Sequence, residues 1–406
     1  MIRRLFFPLL FLLVLAATSC GPEAPRPLSV EEKPSFVPVD DDRAESLAES
    51  LSPRLQGMDS FSGLRPVLEK NLRYIRNRPQ DAVCVNRPGL TLTWGMLGDS
   101  VEEMLSLLDD LDNDPGLVAE RFRWLKLAPG TLLTGYYEPW LKASLTPDDT
   151  YRYPLYGVPD DLKTLDLGAF HPRWKGQTLT YRLGEDGVNP YFDREAIDGR
   201  EALGDRGLEI AWAADPVDVF FLHIQGSGRL DLPDGSFKHI LYGGKNGREY
   251  RSLGKLLIER GLVPREEMSM QRIRGFLDAN PDIAQDLLYE NPSYVFFRLA
   301  EDGPYGSMGS ILTPRVSVAV DRTMIPLGGV VALKTALTDY ASGESEPFCS
   351  LMVAQDTGGA IKDTRMDLFC GTGPEAEQLA GHLQEDSEVF LLISRKVLDA
   401  LPGQGG

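Results

Sequence analysis

With 406 residues, the chain is long enough for two or three domains of ordinary size. Its hydrophobic share of 42% and charged share of 25% are those of a folded globular protein, which excludes wholesale disorder. Sixty acidic against 42 basic residues leave a net charge of −18, which excludes nucleic acid and anionic lipid surfaces as main partners and suits a neutral or cationic ligand better.

The first 20 residues have the form of a signal peptide. Arg3 and Arg4 precede the apolar run Leu5–Ala17, and the small residues Thr18 and Ser19 lead to Cys20. The run is shorter than the ~20 residues a membrane-spanning helix needs. Ala17-Thr18-Ser19-Cys20 resembles a bacterial lipoprotein box, which implies cleavage before Cys20 and lipidation of its thiol. Gly21 in place of Asp implies, by the same resemblance, the outer membrane and a periplasmic protein. Residues 21–45 read as a Pro-rich tether kept solvated by Asp40-Asp41-Asp42. Cys84, Cys349 and Cys370 remain, a set that allows one bridge and a leftover thiol, with Cys349 and Cys370 as one pairing.

Further along, DSVEEMLSLLDDLD at 99–112 predicts a helix capped by Asp99 or Ser100, with Val101, Met104, Leu105, Leu108 and Leu111 at helical spacing. Residues 131–140, TLLTGYYEPW, predict a strand entering a turn at Glu138-Pro139. The stretch 140–295 is richer in Tyr, Gly and Pro, and Val217–Ile224 (VDVFFLHI) reads as a strand. A helix is expected from Ser252 to Arg260, closed by Gly261. Short strands follow at 316–320, 330–333, 351–354, 365–369 and 389–393, with a helix opening at Pro374 and running through Gly381. The pattern is mainly β, a small barrel or sandwich with a few flanking helices.

The chemistry-bearing stretch is Val353–Phe369, VAQDTGGAIKDTRMDLF. Asp356 before Thr-Gly-Gly is ordinary turn chemistry, and Asp363 sits in a polar loop. Asp367 lies between Met366 and Leu368-Phe369, where a carboxylate must be paired, exposed or functional. Arg365, two residues away, offers it a plain ion-pair partner. Asp321 in Asp321-Arg322-Thr323-Met324-Ile325-Pro326-Leu327-Gly328 brings a third carboxylate to the same β module.

These three aspartates resemble the three-aspartate domain of the membrane-bound lytic murein transglycosylase A family. Thr134-Gly135-Tyr136-Tyr137-Glu138-Pro139 is similar to that family's TGYYEP signature. His223-Ile224-Gln225-Gly226-Ser227-Gly228 and Tyr242-Gly243-Gly244-Lys245-Asn246-Gly247 are similar to its insert-domain motifs. Two local departures stand out: Asp363 where the family has Gly, and Arg322 where Pro is common. The resemblance implies a double-psi β-barrel formed from two separated segments, 46–139 and 296–400, with 140–295 inserted as a β-rich substrate-groove domain. It further implies that Asp367 is the catalytic acid with Asp356 beside it, and that Thr134 and Asp321 belong to the substrate groove. Tyr136, Tyr137 and Gln225 are sugar-groove candidates, since aromatic rings stack on pyranose faces and an amide can bond an N-acetyl group.

The implied reaction cuts the β-1,4 bond between N-acetylmuramic acid and N-acetylglucosamine and leaves a 1,6-anhydro end. The sugar's own C6 hydroxyl attacks C1, so one carboxyl suffices as acid and then base. That role requires a raised pKa for Asp367, from apolar shielding and from Asp356, and requires Arg365 to turn away. Glu138 is a weaker second carboxylate, since Glu-Pro at a turn is more often structural. No metal or organic cofactor is called for: only four His occur, and neither HExxH nor CxxC is present. The implied partners are peptidoglycan glycan strands, the outer membrane through the lipid anchor, and cell-wall biosynthetic complexes. Two rivals exist. Asp356-Thr357-Gly358 is also the aspartic-protease triplet, but no second such triplet occurs to form a dyad. An expansin-like double-psi barrel would bind polysaccharide without cutting it.

Overall fold

A computed structural model describes residues 34–340 and 342–399. The signal segment, Cys20 and the first part of the tether lie outside the described residues. From Pro34 onward the tether expectation fails. β1 (Ser35–Pro38) buries Phe36, and the helix Asp41–Glu49 buries Ala44, Leu47 and Ala48. The acidic run is a helix start: Asp40 accepts a hydrogen bond from the Arg43 amide at 2.9 Å, and Asp41 and Asp42 occupy the first turn. Carboxylates are favoured there because the first amides lack partners and the helix dipole is positive.

The hairpin β2 (Val83–Arg87) and β3 (Leu90–Thr93) runs into a helix at Trp94–Leu107. This helix starts one and a half turns before the expected cap. Thr93 caps it through the Met96 amide, whereas Asp99 lies inside it and pairs with Arg76 at 2.7 Å. β4 (Phe122–Ala128) and β5 (Thr131–Glu138) complete the first segment.

The insert follows as β6 (Trp140–Ser144), β7 (Tyr153–Tyr156), β8 (Lys163–Asp166), β9 (Thr178–Gly184), β10 (Gly187–Pro190), β11 (Glu209–Ala213), β12 (Gly228–Asp231), β13 (Phe237–Lys245) and β14 (Val295–Ala300). Six of these strands form one sheet in the order β14-β13-β12-β6-β11-β7, and β10-β9-β8 form a smaller one. Because β14 belongs to the larger sheet, the inserted unit runs to Ala300 and not to 295. VDVFFLHI is a helix, Pro216–Gln225, not a strand. Asp215 accepts from the Val217 amide at 2.8 Å, Pro216 takes the first helical position, and Gly226 ends it at φ 80°. Val217 and Val219–His223 are all buried, so no helical period shows in the sequence, and the β-branched and aromatic content favours a strand reading.

Returning to the first unit, β15 (Ser317–Val320), β16 (Val330–Asp339), β17 (Glu344–Asp356), β18 (Met366–Thr372) and β19 (Gln384–Ser394) join β5. The ladder β5-β18-β15-β17-β16-β19 closes because β19 also pairs with β5, giving a six-stranded barrel from two separated segments. β18–β5 and β15–β17 are parallel, the other pairs antiparallel, as a double-psi barrel requires. Its interior is apolar, with Val318, Val331, Leu333, Met352, Met366 and Leu368 fully buried. Closure removes the sheet edges that would otherwise invite pairing with another chain.

One buried polar chain ties the barrel to its flanking helix, Arg65–Arg76. Gln355 donates to Asn71 Oδ1 at 2.7 Å and accepts from the Ser317 hydroxyl at 2.6 Å. Asn71 in turn donates to the Gly328 carbonyl at 3.1 Å. Gln355 immediately precedes Asp356, so this chain fixes the backbone of the site. Gln355→Leu leaves the Asn71 and Ser317 groups unpaired in the interior. It is expected to lower the urea-unfolding free energy by about 2–4 kcal/mol.

Candidate active site

The register of three strands sets the site. Ala319 on β15 lies opposite Asp367 on β18 and opposite Asp356 on β17, so the two carboxylates flank one small residue. Across the parallel β18–β5 pair, Asp367 faces Thr134, and Phe369 faces Tyr136. Alternation sends Met366 and Leu368 into the core and Asp367 to the opposite face, where it is half-buried.

Thr134 donates to Asp367 Oδ1 at 2.6 Å. Burial pushes the Asp367 carboxyl up to about 6, with the Asp356 charge acting in the same direction; the Thr134 hydrogen bond and the Arg365 charge work against the shift. Arg365 does not turn away, contrary to expectation. Its Nη2 donates to Thr134 Oγ1 at 3.4 Å, forming a chain Arg365–Thr134–Asp367. Arg365 immediately precedes β18, two residues before Asp367, and Thr134 on β5 supplies the acceptor that holds the guanidinium there. Burial still outweighs it.

Asp356 is held by four donors. Its Oδ1 accepts from the Ser307 amide, the Ser307 hydroxyl and the Thr357 amide, each at 2.8 Å. Its Oδ2 accepts from the Tyr136 hydroxyl at 3.0 Å. Burial raises its pKa and these donors oppose the rise. The same enclosure, with both carboxylates nearby, pushes the Tyr136 phenol far up, so Tyr136 stays a donor. Ser307 escaped the sequence reading because Gly306-Ser307 in a Gly- and Pro-rich loop reads as an ordinary turn. The one local signal is Gly306: a Cβ there would sit 2.5 Å from the Gln355 carbonyl oxygen. The chain must pass that close to bring Ser307 against Asp356.

Two sugar-groove candidates are engaged in contacts within the protein. Tyr137 points opposite to Tyr136 and is buried, 6% exposed, because adjacent strand residues face opposite ways. Gln225 spends its Oε1 on the Tyr137 amide at 3.2 Å and lies with Nε2 3.6 Å from Met270 Sδ, bracing the insert against β5. Asp321 clamps a loop: Oδ1 accepts from the Thr323 amide and Oδ2 from the Asp363 amide, each at 2.9 Å. Burial would raise its carboxyl, but these bonds hold it below the usual range. The Asp363 bond explains one departure from the family pattern. Asp363 has φ 55°, a left-handed conformation that Gly adopts without cost, and the Asp321 clamp helps hold it there.

Glu138 is 2% exposed and bonded to His239 at 2.7 Å, joining β5 to the insert. The two insert motifs likewise build scaffold. His223 lies 3.1 Å from the buried Arg194, and Asn246 bridges the Phe192 and Pro292 carbonyls and the Tyr294 amide at 2.8–2.9 Å. All three Cys of the described residues are free thiols. Cys349 packs against Leu47 of the first helix, while Cys370 sits beneath Gly135 on β5, and no bridge joins them.

A closed double-psi barrel with a half-buried acid on one parallel strand, interrupted by a β-rich insert, defines a class of barrel proteins built around two aspartates that flank one small residue. Residues 132–298 match the family model described as the MltA specific insert domain, and residues 316–393 match the 3D domain. Membrane-bound lytic murein transglycosylase A of Vibrio cholerae is 35% identical over 267 residues, 64% of this chain and 65% of that protein. The chain thus spans just under two thirds of that relative's length. A crystal structure of a membrane-bound lytic murein transglycosylase from Agrobacterium tumefaciens superposes with a TM-score of 0.74 at 32% identity, over 90% of this chain and 99% of that one. A crystal structure of E. coli MltA with bound chitohexaose superposes with a TM-score of 0.63 at 28% identity, over 82% of this chain and 90% of that one. The chain belongs to the membrane-bound lytic murein transglycosylase A family.

Carbon-13 NMR titration of the Asp367 carboxyl is expected to give a pKa about 6. Arg365→Met removes an opposing positive charge and moves it higher still, whereas a wild-type value near 4 would show that burial does not dominate.

Proposed function

We propose that the protein is a lytic transglycosylase that cuts peptidoglycan between N-acetylmuramic acid and N-acetylglucosamine, with Asp367 as its single acid and base. The observation that supports this most is the division of labour between the carboxylates. Asp356 is filled by four donors, whereas Asp367 accepts one short hydrogen bond and keeps a raised pKa. A two-carboxylate hydrolase needs a second free group at ~5–5.5 Å or ~6.5–9.5 Å to serve as nucleophile or to activate water. An enzyme whose substrate attacks itself does not.

In this reading protonated Asp367 gives its proton to the departing O4 of N-acetylglucosamine as the C1–O4 bond breaks. The C6 hydroxyl of the muramic residue forms the C1–O6 bond, and its proton returns to Asp367. No water is consumed, and the enzyme ends as it began. Intramolecular attack contributes up to ~7–11 kcal/mol in favourable geometry. Thr134 holds the carboxyl in place, Asp356 raises its pKa and orients Tyr136, and the Tyr136 ring, 5.3 Å from Phe369, offers a face to a pyranose.

Lipidation at Cys20 and anchoring to the outer membrane, facing the periplasm, belong to the same proposal. It is supported by the basic-apolar-Cys start of the chain and by relatives named as membrane-bound. Among the described residues no helix is long and apolar enough to cross a membrane. Cell-wall biosynthetic complexes remain proposed partners.

Asp367→Asn tests the chemistry. On purified sacculi it is expected to lower release of anhydro-muropeptides by ~10³-fold or more, and near-normal turnover would refute the assignment. The same variant is expected to be more stable at neutral pH. A folded pKa of about 6 against an ordinary 3.8 means that this carboxyl stabilises the fold fully below about pH 4 and loses that contribution as pH rises through 6. At pH 7 its ionised form is a liability, so the neutral amide should gain about 1–2 kcal/mol in urea unfolding.

A further inference from the structure

A cavity of about 510 Å³ opens on the barrel unit, lined by none of the residues that hold Asp356 or Asp367. Tyr74 from the flanking helix and Trp94 from the next helix meet edge to face, with ring centroids 6.2 Å apart. The Arg78 guanidinium lies 4.3 Å from the Tyr74 centroid and 5.9 Å from that of Trp94. Arg87 on β2 is fixed by two donations to Thr323, 3.0 Å to the carbonyl and 2.5 Å to the hydroxyl. Arg322, exposed beside Thr323, completes the rim. It is the second departure from the family pattern.

The charge balance here is unusual for this chain. Neighbouring Arg76 is paired with Asp99 and Glu102, but among the described residues none of Arg78, Arg87 and Arg322 is paired with a carboxylate. Three uncompensated guanidiniums stand together in a protein of net charge −18. Guanidinium groups are suited to carboxylate recognition, and the Tyr74 and Trp94 rings beneath Arg78 give an apolar floor. A volume of about 510 Å³ is in the range of small-ligand sites, roughly 300–1,000 Å³, and too roomy for a lone inorganic anion.

We propose that this cavity takes the free C-terminal carboxylate of a short peptide stem carried on the glycan strand, its last residues lying over Tyr74 and Trp94. The proposal rests on the peptidoglycan reading above. The cavity borders the loop before the acid: Arg322 follows Asp321, whose Oδ2 holds the Asp363 amide in the loop that leads to Asp367. Repulsion by the acidic surface elsewhere would steer an anionic stem to this basic spot.

The test uses the soluble peptide acetyl-L-alanyl-D-isoglutaminyl-L-lysyl-D-alanine as its free acid and as its C-terminal amide, titrated into the protein by calorimetry. The acid is expected to bind saturably and the amide at least ~10-fold more weakly. Arg322→Gln and Arg78→Gln should each weaken the acid by ~10-fold, and the exposed Arg322→Gln should do so without lowering the melting temperature. Equal binding of acid and amide, no effect of either substitution, or equally tight displacement by inorganic phosphate would overturn the proposal. Kinetics separate it from the parent reading. Arg322→Gln should raise KM on stem-bearing sacculi and leave stem-free glycan unaffected, whereas Asp367→Asn should abolish cleavage of both and keep peptide binding. Failure of the wild type to cut glycan, with peptide binding intact, would count against the catalytic reading alone.

Discussion

Two parallel strands drawn from opposite ends of the sequence lie side by side as β5 and β18, and their register sets Thr134 against Asp367 at 2.6 Å. Most of the surrounding structure maintains that pairing. Barrel closure through β19 fixes the position of β5, and Gly135 allows the helix Gly373–His382 to press on β5, since a Cβ there would meet Ala380 and Cys370 at 2.9 Å. On the other flank, Asn71, Gln355 and Ser317 lock the end of β17, so Asp356 stands on the far side of Ala319. The carboxyl is thereby enclosed enough to hold a proton and exposed enough to give it away. Enclosure, more than the neighbouring charge, raises its pKa.

The opposing tendencies around Asp367 are instructive. Arg365 and Thr134 both favour the ionised form, while burial and Asp356 favour the neutral one. A site with burial alone would bind its proton so tightly that release became costly. A site with the arginine alone would be an inert ion pair. The balance places the group near 6, where it can act in both directions within one catalytic cycle.

Much of this was legible in the residues. Asp367 stood out because a carboxylate inside an apolar strand needs a reason, and Thr134 and Tyr136 entered through the TGYYEP resemblance. What the sequence concealed was orientation and distance. Tyr137 and Tyr136 look alike in a string, yet one packs in the core. Gln225 reads as a free amide until its partner, the Tyr137 amide, appears across 88 positions. Ser307 carries no signal of its own because a Ser after Gly in a loop is commonplace, and the close approach that demands Gly306 shows only in three dimensions. The helix Pro216–Gln225 was misread because burial on every side erases the period that separates helix from strand. Asp363 could be flagged as a departure from Gly, but its positive φ and its clamp by Asp321 belong to three dimensions.

If one acid is enough because the sugar supplies its own hydroxyl, then no solvent oxygen should enter the product. Digestion of sacculi in water enriched in oxygen-18, followed by mass analysis of the released muropeptides, tests this directly. The account predicts 1,6-anhydro ends without label. Reducing ends carrying one oxygen-18 atom at C1 would show that water is the nucleophile, and would contradict it.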